Sequence, residues 1–117
     1  MNITDPHDRK LYHAVKAHKP LGDGLCQVRV RGRYLSVYVY GARIFSHDNG
    51  NGYWEASSCG MNRPWMRDKM NACLSAINAP VRVYTDERGR FWLTTATSPN
   101  SVGDGRWFNS TKYGEVK

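Results

Sequence analysis

Cys26 to His47 reads CQVRVRGRYLSVYVYGARIFSH, and the order of its side chains decides the fold. Apolar and polar residues alternate over Cys26 to Arg31, with Cys26, Val28 and Val30 on one side and Gln27, Arg29 and Arg31 on the other. A period of two is the signature of a half-buried strand. Gly32-Arg33 supplies a two-residue hairpin loop with glycine first, as a type II′ turn prefers. Closing that turn sets Arg31 opposite Tyr34, Val30 opposite Leu35, Val28 opposite Val37 and Cys26 opposite Val39. A slip of one residue would set apolar side chains against polar ones, so the register supports itself.

A second tight turn at Gly41-Ala42 extends the pattern, pairing Tyr40 with Arg43, Val39 with Ile44, Tyr38 with Phe45 and Val37 with Ser46. The expected product is a three-stranded antiparallel meander with two unlike faces. One face, Cys26, Val28, Val30, Leu35, Val37, Val39 and Ile44, is core. The other interleaves arginine with aromatics: Gln27, Arg29, Arg31, Tyr34, Tyr38, Tyr40, Arg43, Phe45 and His47.

Upstream, Thr4-Asp5-Pro6 opens a helix, with a capping oxygen, proline in the first turn and Asp8 near the positive end of the dipole. Leu11, Ala14, Val15 and His18 recur at helical spacing, and Lys19-Pro20 stops the run. So thin an apolar stripe predicts a helix packed at the edge of the domain. Leu21 to Gly24 reads as a loop.

Downstream, Asp48 to Gly52 is a glycine-rich loop expected to be mobile, Tyr53 to Ala56 a fourth strand, and Ser57 to Arg63 a further loop. From Pro64 to Asn78, Met66, Met70, Cys73, Leu74 and Ile77 form one face of an amphipathic helix, the natural cover for the meander. Val81 to Thr95 is a second hairpin around Asp86-Glu87-Arg88-Gly89, pairing Thr85 with Phe91, Tyr84 with Trp92, Val83 with Leu93 and Arg82 with Thr94. Its polar face, Arg82, Tyr84, Arg90 and Trp92, repeats the arginine–aromatic habit. Thr97 to Gly105 reads as loop, Arg106 to Phe108 as an edge strand, and Tyr113 to Lys117 as a frayed end. Trp54 and Trp107 are the tryptophans expected at the surface.

With 117 residues and 13.3 kDa, the expectation is one domain over residues 1–117. A formal net charge of +7 and a pI near 9.6 favour acidic partners, and the charge is spread along the chain. Cys26, Cys59 and Cys73 are an odd set without tight spacing, which predicts reduced thiols in a cytoplasmic chain. No apolar run reaches membrane-spanning length and the N-terminus lacks a signal-peptide core, so neither membrane insertion nor export is expected.

No spacing of His13, His18, Cys59 or Cys73 matches a metal site, and no cofactor motif is present. Gly103-Asp104-Gly105 lacks the lysine and following helix of a phosphate-binding loop. Two chemical arrangements merit a structural test: His47 as a general base helped by Glu55, and Cys59 as a nucleophile.

The expected architecture is α+β: an antiparallel meander packed by a helix, followed by a C-terminal hairpin that extends the sheet. The order of elements over roughly residues 25–78 resembles the plant AP2-type and integrase arm-type DNA-binding domains. Those lay such a sheet on duplex DNA, and the resemblance lies in element order alone. The expected function is non-enzymatic binding, with Arg29, Arg31, Tyr34, Tyr38, Tyr40, Arg43, Phe45, Arg82, Tyr84 and Trp92 engaging DNA, RNA or a nucleoprotein. The same composition suits an inhibitor or adaptor on an acidic protein, of the kind small phage and plasmid accessory chains supply against host defence. A small nuclease or transferase built on His47 and Glu55 is the third class.

Overall fold

A computed structural model describes residues 3–61, 63–94, 99–101 and 108–109 of the chain. The first helix, α1 (Pro6–Ala17), begins where the Asp5 carboxylate accepts the backbone N–H groups of His7 and Asp8. It ends at His18, whose left-handed φ of 56° closes the last turn. Leu21–Asp23 (β1), Cys26–Arg31 (β2), Tyr34–Val39 (β3), Ala42–Asp48 (β4) and Trp54–Ala56 (β5) form an antiparallel meander in chain order. A second helix, α2 (Pro64–Ala76), follows with proline at its start. Arg82–Thr85 (β6) and Phe91–Thr94 (β7) make the C-terminal hairpin, to which Pro99–Ser101 (β8) adds. Phe108–Asn109 (β9) returns to pair with β5.

All six pairs between β2 and β3 stand as the alternation predicts, from Cys26 opposite Val39 to Arg31 opposite Tyr34. The four pairs between β6 and β7 also match, with Gly89 at φ 77° in the turn. Between β3 and β4 the expected register fails, by two residues beside the turn and by one beyond the bulge that follows. The turn is Tyr40-Gly41, at φ 50° and 79°, so Val39 pairs with Ala42 and Tyr38 with Arg43. A type I′ turn needs left-handed backbone at both central positions, which for a residue with a Cβ costs about 1–2 kcal/mol. Nothing in the apolar pattern announces a tyrosine there.

Beyond that turn Ile44 is an extra residue bulged out of the ladder, and Phe45 pairs with Val37. Phe45 is therefore fully buried in the core. Its expected place on the exposed face is wrong, because the bulge restores core parity one residue later than simple alternation would.

Both helices lie on the apolar face of the meander, joined in one core by Leu11, Val28, Val37, Met66, Met70 and Leu74. The face read on the second helix is confirmed at Met66, Met70, Cys73 and Leu74, and burial extends round to Ala72, Ser75 and Ala76. Helix α2 is wrapped this far because α1 packs on one side of it and β6 on another. Helix α1 is thus a core element and not an edge helix. What the thin stripe did not reveal is a buried ion pair at 2.8 Å between Asp8 and Lys69 of α2.

The C-terminal hairpin does not extend the meander. With β8 it forms a separate three-stranded sheet, tied to α2 by Asn71, whose side chain bonds both the N–H and the carbonyl of Val83. Leu21 to Asp23 and Pro99 to Ser101, expected as loop, are strands because each finds an open strand edge to pair with. The stretch 49–52 is irregular, as expected, yet it is a hydrogen-bonded turn. Asp48 receives Gly50 and Gly52, and Asn49 donates to the Arg33 carbonyl. Trp54, expected at the surface, is buried at its pairing with His47. The readings placed on Trp107 and on residues 113–117 lie outside the described residues.

Candidate functional site

The meander face turned away from the helices gathers five of the residues singled out from the sequence. Register places Arg29 and Arg31 on β2, Tyr34 and Tyr38 on β3, and Arg43 on β4 on this side. Alternate residues of a strand share a face about 6.8 Å apart, so Arg29 and Arg31 stand as neighbouring teeth. Both are exposed, as is Tyr34, and with Ser36 and Tyr38 they border a shallow concavity of about 500 Å³.

The aromatics hold the arginines. The Arg29 guanidinium lies over the Tyr38 ring with its carbon 4.4 Å from the centroid, and it donates to Gln27 Oε1 at 3.1 Å. Arg33, in the hairpin turn, lies over Tyr34 at 5.2 Å and donates to its hydroxyl at 3.2 Å. Arg33 also pairs with Asp48 at 3.1 Å. The Tyr34 hydroxyl and the Asp48 charge together hold its guanidinium above the ordinary arginine value. The turn position kept Arg33 out of the sequence reading, which followed only the strand alternation.

At the far edge Arg43 meets Glu55 at 3.4 Å, and the same carboxylate accepts Ser46 at 3.4 Å and Tyr53 at 3.1 Å. Two of the four arginines on this side therefore face carboxylates. Among the described residues no carboxylate pairs with Arg29 or Arg31. The excess positive charge of the face is concentrated on these two.

The other expected binding residues lie elsewhere. Tyr40 sits in the β3–β4 turn beside Trp65 of α2, with ring centroids 5.7 Å apart. Phe45 is core. Arg82, Tyr84 and Trp92 belong to the second sheet. The Arg82 guanidinium is spent on the Ala79 and Val81 carbonyls, and burial pushes its pKa down. Trp92 donates to Asp86, and that bond heads the contacts that hold the Asp86 carboxyl well below the usual range. Tyr84 is partly exposed. The second hairpin repeats the composition of the first without joining its face.

The chemical arrangements separate as well. Ser46 pairs with Glu55 and His47 with Trp54, so the pleat sends Glu55 to the exposed face and His47 to the helix side. The two side chains leave opposite sides of the β4–β5 pair, although both residues border a concavity of about 320 Å³ beside Asn51 and Tyr53. Burial pushes His47 down, the charge of His18 adds to that, and Asp48 opposes it. The Cys59 thiol donates to the Arg43 carbonyl at 3.2 Å in a half-buried bend. Cys26 and Cys73 are buried, and neither is in a disulfide. Among the described residues no three or more His, Cys, Asp or Glu side chains gather as a metal site would require, and no helix is long and apolar enough to cross a membrane.

No family model, no curated protein and no solved structure matches the chain.

Proposed function

We propose that the chain is a non-enzymatic binding protein whose arginine–tyrosine sheet face engages nucleic acid through its phosphates. The observation that carries this reading is the pair Arg29 and Arg31, exposed side by side on a face that, among the described residues, is uncovered and sets no carboxylate against either. Guanidinium is the side-chain group best matched to phosphate, through its fork of fixed donors. A net charge of +7 adds long-range attraction to the same partners.

The tyrosines refine the partner. A single-strand platform leaves aromatic faces open for bases to stack on. Here guanidinium groups lie over the rings of Tyr38 and Tyr34, so the rings orient cations. That arrangement favours a phosphate backbone, as in a duplex, over stacked single-stranded bases. The second reading, an inhibitor or adaptor on an acidic protein, draws on the directed hydrogen bonds around Glu55 at the edge of the face.

Titration of labelled duplex and single strand of one sequence separates these readings. Duplex binding at low salt at least as tight as single-strand binding supports the backbone reading. Tighter single-strand binding, lost in Tyr38→Ala but kept in Arg29→Ala, overturns the role given to the tyrosines. Absence of binding to either form leaves the protein-partner reading.

A further inference from the structure

The opposite end of the meander carries a recess of about 380 Å³ that the basic face does not use. It opens where the β1–β2 turn at Gly24-Leu25 meets the β3–β4 turn, joined by the Tyr40 N–H to the Leu25 carbonyl at 2.9 Å. Three of the large apolar side chains exposed on this molecule, Leu25 at 40%, Tyr40 at 65% and Trp65 at 38%, border it. The Tyr40 and Trp65 rings meet at 81°, forming two walls at a right angle. Asp5, His7 and Lys69 also line the space.

Two observations mark this recess as more than exposed apolar surface. Tyr40 adopts a left-handed backbone, a conformation a bulky residue rarely takes, and recovers little burial in return. Such strain is found where a side chain must be displayed. The charges also differ in their partners: Lys69 is ion-paired with Asp8 at 2.8 Å, while the Asp5 carboxylate accepts the backbone N–H groups of His7 and Asp8 and feels the charges of Lys69 and His7 from further off. A carboxylate beside perpendicular tyrosine and tryptophan walls is the composition that holds cations sheathed in methyl groups. We infer that the Leu25–Tyr40–Trp65 recess, with Asp5 at its rim, binds a quaternary ammonium group.

The test follows the Trp65 indole N–H resonance during titration with choline, its neutral carbon isostere 3,3-dimethylbutan-1-ol, and a peptide bearing Nε-trimethyllysine. Saturable shifts with either ammonium probe and not with the isostere are expected, and the tighter of the two identifies whether the group arrives free or on a protein. Tyr40→Gly removes one wall at a turn position glycine occupies without strain, so the fold is kept and affinity falls by about tenfold or more. Asp5→Asn retains the helix-capping oxygen, removes the charge and weakens binding. Equal shifts with choline and the isostere, or no saturable shift with either ammonium probe, overturn the inference. Binding undiminished in Tyr40→Gly overturns it too.

Discussion

Lys69 carries its charge in a place where an amphipathic helix normally carries none. Its side chain is about 10% exposed and its only ion-pair partner among the described residues is Asp8, itself 8% exposed. Burial pulls the ammonium down, but the hydrogen bond and charge of Asp8 outweigh it and raise its pKa above 10.5. Lys69→Ala leaves a buried carboxylate uncompensated and is expected to cost about 3–5 kcal/mol in urea denaturation. The double replacement Asp8→Leu, Lys69→Met should recover most of that loss, and a double variant as unstable as Lys69→Ala would deny the coupling. His47 works in the other direction. Its folded pKa is depressed below 6.5 chiefly by burial, so the unfolded chain binds the proton more readily. The stability this contributes is fully present above pH 6.5 and is lost as the pH falls toward the folded value. The fall in melting temperature between pH 7.5 and 5.5 should therefore be smaller in His47→Gln than in the wild type.

At the scale of elements, the β3–β4 register can be checked by two substitutions. Phe45→Ala empties a fully buried site and should cost about 3–5 kcal/mol, while Tyr38→Ala on the exposed face should cost about 1 kcal/mol or less. The reverse ranking would restore the simple alternation that pairs Phe45 with Tyr38. Strand β2, strand β3 and the C-terminal hairpin were readable because their turns, Gly32-Arg33 and the one ending in Gly89, use the residues those turns prefer. The β3–β4 turn was not, because Tyr40 takes a conformation its side chain disfavours and Ile44 bulges directly after it. The place of α1 escaped for a different reason: Asp8 looked like a dipole partner, and its true partner lies 61 positions away. Local pattern likewise could not say which sheet the second hairpin would join. Five of the ten expected binding residues share a face because they fall where the register was correct or, for Arg43, where the shift kept its parity.

At the scale of the whole fold, the layered arrangement of the described residues leaves one sheet face open while the other is buried under both helices. The open face bears the arginines, and the tyrosines between them serve as supports for guanidinium groups. Neutralising phosphates releases condensed counterions, so binding through this face must weaken steeply and linearly on a log–log salt plot. A protein partner anchored by a few hot spots gives weak salt dependence and leaves oligonucleotides unbound. The proposed phosphate contacts are Arg29 and Arg31. The direct measurement is the slope of log affinity for a labelled duplex against log salt, in the wild type and in the Arg29→Ala, Arg31→Ala double variant. A slope shallower by about two units is expected in the double variant, since each phosphate contact contributes about 0.9. A variant that binds duplex with the wild-type slope would contradict it.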